Sequence, residues 1–143
     1  MNIMKRKDTE EVLRGHGFRA TAGRIALIGA LSRCPKPEPI EKIAKIVSRS
    51  LDAANVYRAL EAFTAAGIAR RIDFRDSKTY YELALDRHHH HHIVCVVCGK
   101  IEDVHGCAPS LEKMALSRSK SFSAIQSHSL EFFGLCKSCG ASK

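Results

Sequence analysis

The chain contains no tryptophan, and only 6% of its residues are aromatic. Cores built with few large rings are modest, and a bound metal would then matter for holding a small domain together. No apolar run approaches the length that crosses a bilayer. The basic stretch Met4-Lys5-Arg6-Lys7 leads into acidic residues instead of the apolar segment of a secretion signal. The expected location is therefore cytoplasmic, with no membrane partner. Catalytic signatures are missing as well. There is no His-Glu-x-x-His, no His-x-Glu with a downstream Pro-Cys-x-x-Cys, no Gly-x-Ser-x-Gly and no phosphate-binding P-loop. A catalytic zinc needs an open position and a nearby acid or base, and none of these patterns supplies one. No enzymatic activity is expected.

What remains is a globular composition, 45% apolar and 27% charged over 143 residues, enough for one ordinary domain or two small ones. The net charge of +8 is unevenly spread. Residues 1–79 hold 16 Lys/Arg against 9 Asp/Glu, whereas residues 80–143 hold 7 against 6. A basic first half is the footprint of a phosphate-binding surface, although a merely solvated basic face would look the same.

The first half reads as helices. A short helix opens at Asp8-Thr9-Glu10-Glu11 and stops at Gly15 and Gly17. Thr21 caps a second, with Ile25, Ile28 and Leu31 on one stripe, ending at Cys34-Pro35. A third runs from about Ile40 to Arg49. Asp52 caps a fourth, in which Val56, Leu60 and Phe63 recur at core spacing. Ile68–Phe74 and Thr79–Leu83 then alternate around the polar turn Arg75-Asp76-Ser77-Lys78, which predicts a β-hairpin. Helices followed by a basic hairpin give the order of a winged helix-turn-helix, whose fourth helix would enter the major groove of double-stranded DNA. With the apolar stripe inward, Asn55, Tyr57, Arg58 and Glu61 lie on other faces, some free to reach DNA. Arg suits guanine edges or phosphates, and Asn suits adenine.

After Asp86 the character changes. Ile93–Val97 and Ile101–Val104 read as strands, Ser110 as the cap of a helix, and Phe122–Leu135 as a largely strand-forming segment. The expected fold class is α+β. Residues 1–85 would form a winged-helix DNA-binding domain and residues 86–143 a small α/β dimerisation domain, with a linker near Asp86-Arg87.

Two Cys-x-x-Cys pairs, Cys95–Cys98 and Cys136–Cys139, are separated by 37 intervening residues in this second half, and the second pair is expected between short strands. In a reducing compartment such pairs read as metal ligands, and four thiolates close a tetrahedral Zn2+ site. Cys34 and Cys107 stand apart and read as small buried hydrophobes. Five consecutive histidines, His88 to His92, precede the first pair and are the only low-complexity tract. On a strand, His90 and His92 share one face and His89 and His91 the other, so one segment could serve two clusters. Glu82 and Asp103 are candidate partners for one cluster and His128 for the other. Mixed imidazole and carboxylate ligands suit Fe2+, Mn2+ or Zn2+, held less tightly than by four thiolates. The alternative is a zinc-ribbon interaction module or a constitutive DNA-binding protein in which the His run senses nothing.

Taken in order, Gly17-Phe18-Arg19-Ala20-Thr21 with Arg24, Ala54-Asn55-Val56-Tyr57-Arg58-Ala59-Leu60, Tyr81-Glu82-Leu83, the His run with Cys95-Val96-Val97-Cys98-Gly99-Lys100, and His128-Ser129-Leu130 leading to Gly134-Leu135-Cys136 resemble the ferric uptake regulator (Fur) family of metal-dependent transcription factors. The resemblance covers nearly the whole chain. It implies a homodimeric, metal-responsive DNA-binding regulator, most often a repressor, that binds a palindromic operator. It implies that Tyr57 and Arg58 contact the major groove and Arg19 the minor groove. It places structural zinc on Cys95, Cys98, Cys136 and Cys139, a regulatory metal on Glu82, His90, His92 and Asp103, and an additional site on His89, His91 and His128. The chain departs from the family pattern in four places, one of them a spacing from Glu82 to Cys95 that is one residue longer than common. Glu38 is the only ligand-type residue in Lys36-Pro37-Glu38-Pro39, where the family usually has a hinge histidine. Asn55 replaces the usual Thr, and Ala22-Gly23 the usual Pro-Gln. Asp103 is similar to the peroxide-sensing members, and the His-rich tract to the haem-responsive ones, which adds haem to the expected effectors.

Overall fold

The computed structural model describes residues 3–85, 89–108 and 110–141. The chain divides into two compact units, Met1–Arg87 and His88–Lys143. The expected linker near Asp86-Arg87 lies outside the described residues.

The first unit opens with α1 (Arg6–Gly15), which begins two residues before the expected Asp8. Asp8 sits within the first turn and accepts a hydrogen bond from the Lys5 backbone N–H at 3.3 Å, so its carboxylate serves the helix start from inside. Thr21 caps α2 (Ala22–Arg33) by accepting from the Arg24 N–H. This helix packs against α1, against α3 (Ile40–Val47) and against the sheet, which is why Leu27, Ile28, Ala30 and Leu31 are all buried. Asp52 caps α4 (Ala53–Ala65), whose Val56, Leu60 and Phe63 are wholly buried. Together with Leu13, Ile43 and Ile68 they form one continuous core.

Strands β2 (Ala69–Asp73) and β3 (Thr79–Leu83) make the expected hairpin. Its turn holds Arg75 and Ser77 at φ of 62° and 66°, a left-handed conformation without glycine. Two local bonds offset that strain: Asp73 accepts from the Arg75 N–H at 2.7 Å and Asp76 from the Lys78 N–H at 3.2 Å. A third strand was not expected. Residues Glu38–Pro39 form β1, which pairs with β3 and completes a sheet of order β1-β3-β2. These elements make a winged helix-turn-helix.

In the second unit β4 (His90–Cys95) is central. It pairs antiparallel with β5 (Ile101–His105) and parallel with β6 (Glu131–Gly134). The helix α5 (Ser110–Arg118) follows β5. Two expectations need correction. Only Glu131–Gly134 of the segment Phe122–Leu135 is a strand. Upstream, serines compete for the backbone: Ser119 Oγ accepts from the N–H groups of Ser121 and Phe122 at 3.3 and 3.1 Å. The second Cys pair is not between strands either, because Cys136 caps the short helix α6 (Lys137–Gly140) that carries Cys139. The fold is α+β, a winged helix followed by a small α/β unit.

Candidate metal centres and nucleic-acid interface

The ends of the second unit meet at its cysteines. The turn after β4 carries Cys98, with Gly99 at φ 72°, and α6 returns Cys136 and Cys139 beside it. The four sulfurs lie within 4.8 Å of one another, and Cys98 and Cys136 are 3.7 Å apart. Two thiolates each about 2.3 Å from a tetrahedral zinc lie about 3.8 Å apart, so the spacing fits that ion and is far too long for a disulfide. Backbone N–H groups of Cys136, Cys98 and Val97 push the Cys95 thiol down to about 6. The Cys139 N–H also lowers Cys136, while the Cys136 side chain drives Cys139 up to about 12. Clustered thiolates repel one another, and a dication removes that penalty. The four-cysteine cluster fits a structural zinc.

Alternation along β4 divides the histidines. On one face the rings of His90 and His92 are 5.0 Å apart, and His92 is buried with its Nε2 3.7 Å from an Asp103 carboxylate oxygen on β5. On the other, the rings of His89 and His91 are 4.7 Å apart, and His128 joins them, its Nε2 2.9 Å from that of His89. His88 lies outside the described residues. Glu82 belongs to β3 of the first unit, where it is largely buried and accepts from Arg70 Nη1 at 2.8 Å across the hairpin. Glu38 pairs with Lys42 one turn along at 2.7 Å.

Cys107 departs from the expected role of a small buried hydrophobe. It is only partly buried, and its sulfur lies 3.3 Å from His128 Nε2 within a group of four possible ligands, His89, His91, Cys107 and His128. Glu112 was also missed. Its carboxylate is 2.9 Å from His128 Nδ1. No motif spacing marks either residue, because the turn at Gly106 and the placement of α5 bring them in.

On the first unit, Asn55, Tyr57 and Arg58 project from α4 into solvent, and Arg19 is exposed in the turn before α2. Tyr57 keeps 47% of its surface exposed. Asn55 is less free than expected. Its amide donates to Asp52 at 2.7 Å, so the side chain buttresses the helix cap. Arg24 donates to the Arg19 carbonyl at 3.2 Å, which steadies the turn presenting Arg19.

The model of the ferric uptake regulator family matches residues 15–133. The chain belongs to that family. It is 38% identical over 110 residues to ferric uptake regulation protein 1 of Mycolicibacterium fortuitum, covering 73% of this chain and 67% of that protein. It is 28% identical to the peroxide-responsive repressor PerR of Staphylococcus saprophyticus, covering 93% of this chain and 90% of the other. Among solved structures, the ferric uptake regulator of Francisella tularensis with iron matches at a TM-score of 0.68 and 29% identity, over 87% of this chain and 96% of that one. This Fur-family protein is a metal-responsive transcription regulator, not an enzyme. No helix among its described residues is long and apolar enough to cross a membrane.

Proposed function

We propose that this Fur-family chain acts in the cytoplasm as a homodimeric repressor of a palindromic operator, and that a divalent metal held by His90, His92 and Asp103 controls its DNA binding. The carrying observation is the division of histidines along β4, with His90, His92 and Asp103 gathered on one face, apart from the four-cysteine cluster. Imidazoles and carboxylates suit Fe2+, Mn2+ or Zn2+ and exchange them more readily than four thiolates would. Bound metal acts as a switch only if it binds the DNA-competent arrangement more tightly than the other. Within the first unit, Arg70 holds the Glu82 carboxylate in place.

A second copy would cover the apolar strip where Ile93 on β4 and Phe132 on β6 are register partners, 39% and 41% exposed. A two-fold dimer presents two copies of α4, and its operator would be correspondingly palindromic. Tyr57 and Arg58 would read base edges, with Arg19 reaching the adjacent minor groove. The test is operator-fragment binding by the chelator-treated dimer, titrated in parallel with Fe2+, Mn2+, Zn2+ and haem. Affinity should rise with at least one divalent ion. Equal binding with and without every effector would overturn the regulatory reading.

A further inference from the structure

The cluster on the opposite face of β4 contains a thiol that neither the fold nor the four-cysteine centre uses. Strand β5 ends at His105, and Gly106 follows at φ 91°, a left-handed conformation that side chains resist. That turn redirects the chain and brings Cys107 Sγ to 3.3 Å from His128 Nε2. Ligand atoms of His89, His91, Cys107 and His128 all lie within 4.8 Å of one another. Four donors at that spacing fit a tetrahedral ion.

The imidazoles are oriented as metal ligands are. His91 is 4% exposed, and among the described residues its Nε2 has no hydrogen-bond partner. The ring bonds the Leu130 backbone, which leaves Nε2 facing the cluster. His128 Nδ1 faces Glu112 at 2.9 Å, so the same tautomer turns its Nε2 towards Cys107 and His89. An outer carboxylate or carbonyl on one ring nitrogen, with the other nitrogen aimed inward, is the usual support of a histidine ligand.

We propose that Cys107 is the fourth ligand of a three-histidine, one-thiolate site that takes Zn2+, with Glu112 as the positioning residue for His128. The proposal deepens the metal-responsive reading by naming the donor set of its second mobile site. A thiolate shifts that site's preference towards Zn2+ and Co2+ and away from Mn2+, which favours oxygen donors. The face carrying His90, His92 and Asp103 has no sulfur, so the two faces of β4 would discriminate between metals.

Cobalt tests this without DNA. Co2+ added to dimer whose four-cysteine centre already holds zinc should produce a near-ultraviolet thiolate-to-cobalt charge-transfer band together with intense tetrahedral visible bands. Cys107→Ser should lose the charge-transfer band while keeping its four-cysteine zinc and its melting curve. The His90→Ala/His92→Ala variant should keep the band. Glu112→Gln should keep it too but weaken cobalt binding by about 10–100-fold. Absence of the band in wild type, or its survival in Cys107→Ser, overturns the assignment. Because the readout is spectroscopic, a dimer that shows the band yet binds DNA independently of metal would overturn only the regulatory reading.

Discussion

His92 and Asp103 are register partners across β4 and β5, and the imidazole Nε2 stands 3.7 Å from the carboxylate. That is too long for a good hydrogen bond. Two ligands each about 2.1 Å from one ion lie roughly 3–4 Å apart, so the gap suits a shared metal. Replacing His90 and His92 by Ala should therefore abolish metal-dependent DNA binding while the dimer and its structural zinc persist. The His89/His91 pair should only tune the response. Operator affinity measured with and without metal distinguishes the pairs, and equal losses would point to an undifferentiated histidine cluster.

Arg58 extends from the exposed side of α4, whose Val56 and Leu60 are wholly buried. Arg58→Ala should cost about 1–3 kcal/mol of specific binding if the guanidinium reads a base edge. Wild-type affinity should also fall steeply with salt, because the basic first unit displaces counterions from phosphates. A variant that binds as tightly and as selectively as wild type would exclude α4 as the reader.

Cys136 both contributes to the sulfur cluster and caps α6. Cys136→Ser should strip the zinc, a site contributing on the order of 10 kcal/mol at neutral pH. The second unit should then become protease-sensitive while the first still melts cooperatively. Metal analysis and limited proteolysis would check this, and a zinc-free variant with an intact second unit would count against a structural role.

At Gly23 the departure from the family pattern has a steric basis. A Cβ there would stand 2.7 Å from Leu51 Cδ1 and 2.9 Å from the Ser50 carbonyl oxygen. Gly23→Ala, ordinarily favourable in a helix, should instead destabilise the first unit by about 1–3 kcal/mol. Thermal melts decide it, and a higher midpoint would show that the loop after α3 yields.

Tyr80 donates its hydroxyl proton to Asp76 at the tip of the wing. Burial first, then Asp76, raises the Tyr80 phenol from its ordinary 10.0 to about 12. In return the bond lowers the Asp76 carboxyl below its ordinary 3.8. The raised phenol contributes stability that is complete below pH 10 and is lost as pH rises through about 12. The lowered carboxyl contributes stability present above pH 3.8 and lost as acid is added through its folded value. Tyr80→Phe should flatten both limbs of the melting-temperature profile relative to wild type. An unchanged alkaline limb would show that the phenol is not held in the fold.

Much of this was legible in the sequence because it is local. Val56, Leu60 and Phe63 recur at helical spacing, so the inner face of α4 follows from the order of residues alone. Thr21 and Asp52 announce helix starts because capping acts within three residues. The two faces of the histidine run follow from the two-residue period of a strand. The Cys-x-x-Cys pairs announce a zinc site because each knuckle is short. Tertiary structure decided what depends on distant segments meeting. Glu38–Pro39 became a strand only because β3 offered it an edge, and Asn55 turned back to its own cap. Cys107 and Glu112 reached His128 from 21 and 16 residues away through a turn and a helix whose placement no periodicity encodes. Sequence determined which side chains share a face, since backbone geometry repeats every few residues. Only packing decided which faces meet, because that depends on the whole chain closing around its cores.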